Sequence, residues 1–438
     1  MGAAENNNNT TKKVKKKKKK SGIAKILPEK GYAVLFFVMA IVAVAFLAML
    51  TVVNALPAKY TMALIVLLFA LLILADFLFI RKKKGLRILG IAVAALFLVV
   101  YGMGTYYLGH TYAMFSKISS SNESERAVSS ETGIDLANDP YNIYVTGIDQ
   151  WANEKGMDLE RSDVNMIATI NPKTRKILLT SIPRDAYVRL HTAGQMDKLT
   201  HTGVYGVDET LGTVEDWLGI DLNYYVKMNF SAVVDIIDAI GGVDVYSPKE
   251  FRPKMRSWWT VKKGWNHMSG RYALAFALER KAFDGEDSQR VENQQRVVDA
   301  ILKKLMTSPA LLTNYPDILK AAGDNMTTNM SSSDMQALVK MQLADLGEWD
   351  IEMQKIEGDY DMDYVASLTQ EQKFQVYKTD PDSVQECLDN IYKVMNPTDE
   401  EIKAVEQARI EKQKEEGVKY LLNKLGIGNQ EEETEEEG

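Results

Sequence analysis

Ser181-Ile182-Pro183-Arg184-Asp185-Ala186-Tyr187-Val188 is the stretch on which the reading of this chain turns. It follows a strand-like run at 175–180 and sets an arginine and an aspartate side by side just past its end. Open α/β sheets bind ligands at the carboxyl ends of their strands. A guanidinium placed there can hold an anion, and the adjacent carboxylate can orient a second cation or a base. Upstream, Arg161-Ser162-Asp163 is another basic and acidic group, and Asp149 ends a further strand-like run. In outline this is a constellation for phosphate and metal.

Further strands are expected at 142–148, 164–170, 176–182 and 224–228, with a short one at 243–246 after Gly241-Gly242. Helices are expected at 210–218, 231–240, 269–281 and 292–305, then near 309–322 and 333–345. Ser231 and Ser269 are the expected N-caps. Strands interleaved with helices predict a layered α-β-α sandwich around a central mixed sheet.

Three apolar spans precede that domain, at 33–53, 60–80 and 88–108. Each meets the ~20 residues needed to cross a bilayer. The first is too long for a secretory signal and lacks a small-residue cleavage site. Asp76, near the end of the second span, is expected to reach the interface and pair with Arg81 or Lys82. Orientation follows from lysine and arginine placement. A lysine run fills 12–20 and the second loop reads Arg81-Lys82-Lys83-Lys84, whereas the first loop holds only Lys59. The tail and second loop are therefore expected in the cytoplasm and everything after 108 outside. The predicted organisation is a lysine-rich tail at 1–32 touching anionic lipid, three transmembrane helices at 33–108 and an extracellular linker at 109–139. A catalytic domain at 140–397 and a charged, acidic tail at 398–438 follow. The lysine tail is too short and too biased for a helix-turn-helix, so no nucleic-acid partner is expected.

One cysteine, Cys387, excludes an internal disulfide. An exported domain of this size without disulfides points to a bacterial surface, most simply a Gram-positive one. With four histidines and no H-E-x-x-H, P-loop or G-x-S-x-G motif, zincin, P-loop and serine-hydrolase chemistry lack their main residues. What remains is arginine with aspartate. Arginine forks bind phosphate bidentately, and a hard cation takes carboxylate and phosphate oxygens together. Spacing alone does not separate such pairs from surface salt bridges.

The order of motifs does. Tyr141-Asn142-Ile143-Tyr144-Val145-Thr146-Gly147-Ile148-Asp149, then Arg161-Ser162-Asp163, then the 181–188 segment, resembles the LytR-CpsA-Psr family. The likeness continues through Lys198-Leu199-Thr200-His201, Gly241-Gly242-Val243-Asp244-Val245, the stretch 264–270, the helix bearing Arg280, and Arg290 to Arg296. The three leading spans are similar to those of capsule-associated members.

That resemblance implies an exported, membrane-anchored phosphotransferase. It would move a glycopolymer, whether capsule or teichoic acid, from an undecaprenyl-pyrophosphate carrier to peptidoglycan. Asp149 and Asp163 would hold Mg²⁺ (or Mn²⁺). Arg184 would bind phosphate, with Asp185 orienting it or helping the site electrostatically, and with Asp163 these two would be the catalytic residues. Arg280 and Arg290 would grip the pyrophosphate, Lys198 would add a contact, and Arg161 would be a ligand or a salt-bridge partner. Ile236, Ile240 and Phe276 are candidate walls of a lipid channel, and equally ordinary core. One departure stands out: the family's R-x-R at the end of that helix reads Leu278-Glu279-Arg280 here. Lys281 or Arg271 could supply the missing charge. A segment of tryptophan and lysine, Trp258-Trp259-Thr260-Val261-Lys262-Lys263-Gly264-Trp265, suits an interfacial lid, with Trp265 expected to be the packed ring. A lipid-pyrophosphate hydrolase and a non-catalytic polyprenyl-phosphate-binding regulator remain as alternatives.

Overall fold

The computed structural model describes residues 29–81, 83–121, 133–148, 161–256, 258–280, 282, 286–307, 315–344 and 349–424. The lysine run, much of the linker, Asp149, Lys281 and the acidic end from 425 lie outside them. Contacts divide the chain into two units, Met1–Leu47 with Ala63–Thr105, and Ala48–Met62 with Tyr106–Gly438.

The first unit is built from α1 (Glu29–Val53), α2 (Ala58–Ile80) and the start of α3 (Lys84–Ser119). All three helices are long and apolar enough to cross a membrane. Asp76 does not pair as expected: it forms no ion pair among the described residues. Arg81 instead lies over the Phe77 ring at 4.2 Å, and Asp76 opens onto a pocket shared with Tyr32 and Arg87. At 36 residues α3 is ~54 Å long, well beyond the ~30 Å of hydrocarbon it must span. Its last turns bury Phe115 and Ile118 in the second unit, and Leu136 joins them there. Residues 109–119, which read as linker, are thus helix, and Leu136 is core, because those apolar side chains have a sheet to pack on.

In the second unit the strands are β1 (Tyr141–Ile148), β2 (Ser162–Asn171), β3 (Lys176–Ile182), the hairpin β4–β5 (Tyr187–Arg189, Met196–Lys198), β6 (Tyr224–Asn229), β7 (Val243–Ser247), β8 (Gly264–Met268), β9 (Met326–Thr328), β10 (Asp350–Lys355), β11 (Gly358–Asp363) and β12 (Phe374–Thr379). The helices are α4 (Leu199–Thr202), α5 (Val207–Leu218), α6 (Phe230–Ala239), α7 (Gly270–Ala277), α8 (Glu286–Thr307), α9 (Tyr315–Asn325), α10 (Ser332–Ala344), α11 (Pro381–Met395) and α12 (Asp399–Lys424).

The main sheet has the order β10-β3-β2-β1-β6-β9. β1 runs parallel to β6 and β3 parallel to β10, with β2 antiparallel between β1 and β3. Four strands therefore deliver their carboxyl ends to one edge. Alternation along the strands divides their side chains between two cores. Tyr144, Ile167 and Tyr225 face α5 and α11, whereas Ile143, Met166 and Tyr224 face α8, α9 and α10. The sandwich is a mixed sheet covered on both sides, as the sequence predicts. Cys387 lies in the first of these cores, where burial pushes its thiol up to about 11 and keeps it protonated.

Two local expectations change. The cap of α6 is Asn229, whose side chain accepts from Ala232 N, so Ser231 sits inside the helix. Helix α7 stops at Ala277 rather than reaching 281. The reason is Glu279, 4 % exposed, whose carboxylate accepts from the backbone N–H groups of Lys254, Arg280 and Ala282. Donors held by a side chain do not continue a helix. At the other end of α7, a Cβ on Gly270 would lie 2.2 Å from the Val234 carbonyl, so only glycine lets α7 start against α6.

Candidate active site at the carboxyl edge of the sheet

Pro183 ends β3, and a turn follows in which Ala186 N donates to Pro183 O at 3.0 Å. Arg184 and Asp185 occupy its two corners. Three backbone bonds fix it: Arg184 O accepts from Thr200 N, Asp185 O from Tyr377 N and Ala186 O from Leu199 N, at 2.8–2.9 Å. The turn is thereby bound to the hairpin's exit and to β12, and its side chains start from a rigid backbone.

Opposite it, Gly147 pairs with Val164 but Ile148 pairs with Ser162, which leaves Asp163 as an extra residue in β2. A bulge of this kind re-aims a side chain. Here it sends Asp163 to Arg184 Nη1, 2.5 Å from Oδ1. A Cβ on Gly147 would approach Val164 Cβ to 3.1 Å, so glycine eases the close pairing beside the bulge. Arg184 Nε then reaches Asp185 Oδ2 at 3.4 Å, and Lys198 Nζ lies 3.2 Å from Asp185 Oδ1. The result is a row of alternating charge, Asp163, Arg184, Asp185 and Lys198, with side chains 15–25 % exposed. It is held firmly yet open to a ligand.

The two carboxylates differ. Both oxygens of Asp185 face cations, which makes it an orienting group. Asp163 uses only Oδ1, and its Oδ2 has no partner among the described residues. Asp149 lies outside those residues, but Ile148, which precedes it, pairs with Ser162, which precedes Asp163.

Other expected residues come from separate elements. Arg290 is on the first turns of α8 and is 2 % exposed. The same end of α8 meets the end of β10 through Glu292 and Lys355 at 3.3 Å, and Glu292 also takes Arg296. Arg280 follows Glu279 beyond α7. Arg161 is exposed at the start of β2 with no partner among the described residues. Ile240 and Phe276 are buried in one packed core with Val243 and Met268, while Ile236 is half-buried. Leu278 packs beside Val164 against Phe230, Val234 and Leu274, and Arg271 is exposed.

Sequence reasoning missed the support beneath Lys198. Asp197 is fully buried and accepts from Lys198 N at 2.7 Å and Ser367 N at 2.8 Å. Its Oδ1 also lies 2.7 Å from His201 Nδ1, and Ser367 Oγ lies 2.8 Å from that same nitrogen. A hydrolytic triad needs its serine and carboxylate on opposite ring nitrogens, so this cluster is a brace and not a relay. Burial alone would raise the Asp197 carboxyl, but the hydrogen bonds from His201, Lys198 N and Ser367 together hold it below its ordinary 3.8. A depressed folded value stabilises fully above the unfolded one, and that contribution is lost as pH falls through the lowered value. Asp197→Asn is therefore expected to cost about 3 kcal/mol near neutrality, with the gap to wild type closing in acid. Thermal unfolding at several pH values checks this; a gap independent of pH would refute it.

The LytR_cpsA_psr family model matches residues 105–391. This chain belongs to the LytR-CpsA-Psr family. Among its relatives is TagU of Bacillus licheniformis, named a polyisoprenyl-teichoic acid–peptidoglycan teichoic acid transferase. It is 31% identical over 258 residues, 58% of this chain and 81% of that one. TagU of Bacillus mycoides bears the same name and is 34% identical over 264 residues, 58% of this chain and 82% of that one. Of solved structures, TagT bound to LIIa-WTA superposes with a TM-score of 0.50 at 26% identity, covering 62% of this chain and 96% of that one. The family match spans the last turns of α3, the bulge at Asp163, the Arg184 turn and most of α11.

Proposed function

We propose that the chain is a membrane-anchored phosphotransferase that moves a glycopolymer from a polyprenyl-pyrophosphate carrier to a hydroxyl of peptidoglycan. The observation that carries this reading is the Arg184 turn: a guanidinium fixed by its backbone at a strand end, beside a carboxylate with an oxygen to spare. The names of the TagU relatives support teichoic acid as the polymer class. Capsule polysaccharide, the other candidate, has the same phosphate chemistry.

In the proposed reaction the acceptor oxygen attacks the phosphorus next to the polymer. The bond from that phosphorus to the bridging oxygen breaks, and polyprenyl phosphate leaves. Arg184 neutralises charge on the phosphoryl oxygens, and Arg280 and Arg290 hold the pyrophosphate. Lys198 and Asp185 keep Arg184 in place. Asp163 Oδ2 takes the hydroxyl proton or serves as a metal ligand. Carboxylate oxygens are the donors that Mg²⁺ or Mn²⁺ prefers, so Asp163, with Asp149, fits such an ion. When bound it would neutralise pyrophosphate charge and stabilise the leaving group.

The outward orientation of the domain is supported by charge placement and by the first loop. Lys59 Nζ donates to Ala344 O at 3.0 Å and Lys340 Nζ to Asn54 Oδ1 at 3.3 Å, so that loop lies against the globular domain. The lysine-rich tail is then left to anionic lipid on the cytoplasmic side.

A purified full chain given lipid-linked polymer and wall fragments should yield polymer covalently attached to the fragments. Release of free polymer without attachment would make it a hydrolase. Chelation by EDTA is expected to lower transfer by at least about a hundredfold, with Mg²⁺ restoring it; undiminished transfer would remove the metal from the scheme. Leu278→Arg restores the family's charge on an apolar platform along which an arginine stem can lie. Transfer should be unchanged or improved, by up to about tenfold in donor KM if one charge-assisted hydrogen bond is gained. A collapse of activity in a folded Leu278→Arg protein would show a clamp rebuilt around leucine.

A further inference from the structure

The β7–β8 ribbon and its 248–263 connection form a second surface, distinct from the catalytic row. Along the ribbon one face enters the core through Val243, Val245 and Met268, and the other faces outward. Trp265 falls on the outward face, 74 % exposed, so it is not the packed ring that the motif suggests. It meets Tyr246, 43 % exposed, edge-on at 5.6 Å. In the connection Trp258 is 69 % exposed and Met255 is 40 % exposed. The packed ring is Trp259, half-buried against Tyr272 at 5.0 Å.

These rings stand on a fixed base. Phe251 and Val261 exchange backbone hydrogen bonds at 2.8 and 3.0 Å, and both are buried. Lys254 N donates to Glu279 Oε2 at 2.6 Å, which ties the connection to the segment bearing Arg280. Lys249, Arg252, Lys254, Arg256, Lys262 and Lys263 lie in the connection with only Glu250 opposing them, in a chain whose formal net charge is −7. Exposed indoles and a methionine, held rigidly among cations, suit the headgroup layer of an anionic bilayer.

We propose that this ribbon docks on the outer leaflet of an anionic membrane. A polyanionic glycan is the other partner that the charge would admit, but the ring geometry favours lipid. Trp265 and Tyr246 cross at 73° and offer no flat platform for stacking on sugars, and Met255 adds apolar surface that a sugar does not use. A headgroup layer accepts amphipathic rings at any tilt. On the phosphotransferase reading, docking has a chemical use. Through Glu279 it sets Arg280 near the depth at which a lipid-borne pyrophosphate lies.

The test uses the full chain in vesicles of phosphatidylglycerol and phosphatidylcholine, with acyl-brominated lipid as a quencher of tryptophan emission. The chain has six tryptophans and the three spans contain none, so quenching reports the rest of the protein. Wild type should be quenched in phosphatidylglycerol vesicles, and W258F/W265F should lose about half of that quenching or more. K262E/K263E should lower it in phosphatidylglycerol but leave the weaker quenching in pure phosphatidylcholine unchanged. Equal quenching in wild type and W258F/W265F would overturn the proposal. So would quenching that soluble polyglycerol phosphate abolishes, which would make the ribbon a polymer track. Quenching is read without turnover, so a chain that docks but transfers nothing refutes only the proposed reaction.

Discussion

Arg184→Ala is expected to lower polymer transfer by at least about a hundredfold, the scale of losing one pre-organised donor to a developing charge. Folding should survive, because the turn is held by its backbone carbonyls and not by the guanidinium. The change also leaves Asp163 without its 2.5 Å partner while Lys198 continues to neutralise Asp185. Arg184→Lys should recover part of the rate, since a point charge replaces a fork and cannot reach both carboxylates as a plane. Transfer to wall fragments, with circular dichroism as the fold control, decides the matter. Wild-type loading in Arg184→Ala would remove the turn from the mechanism.

The second large effect is at Arg290. At 2 % exposure it is the largest of the fully buried side chains, so truncation to alanine would combine lost charge with a cavity of core size. Arg290→Met is the cleaner variant, because it retains much of the stem's volume and removes only the cation. It should cost about 3 kcal/mol in stability, the scale for breaking a buried charged contact, and at least about a hundredfold in transfer. Titration of chemical unfolding alongside the transfer assay separates the two losses. A protein that is destabilised but fully active below its melting temperature would make Arg290 structural only.

Much of this site was legible in the chain because its parts are local. A strand ending in Pro183-Arg184-Asp185 must turn there, and the turn is where the sequence puts it. The bulge at Asp163 was not legible, since its register depends on which residue of β1 lies opposite. Nor was the role of Glu279: a glutamate inside a helical pattern reads as a solvated face, and only the Lys254 N–H brought to it by the 251–261 segment, with those of Arg280 and Ala282, makes it a buried anchor. Trp265 was misjudged for the same reason, as its facing depends on the pairing of β8 with β7. Strands β10 to β12 escaped notice because they are short edge or ribbon strands in which only two or three apolar residues alternate with Asp, Glu, Gln and Lys, too brief a pattern to stand out. Lys198 stood in a recognised motif, but the buried Asp197 that seats it carried no signal beyond its neighbour.

The row of Asp163, Arg184, Asp185 and Lys198 sums to zero charge. At rest, then, it is no general sink for anions: a free orthophosphate arriving there must break internal ion pairs and gains little net attraction. A pyrophosphate ester brings more charge to spread, and further arginines on neighbouring elements to spread it over. On the proposed phosphotransferase reading, neutrality in the idle state thus acts as a filter, keeping the site clear of free phosphate and ready for a donor that carries pyrophosphate.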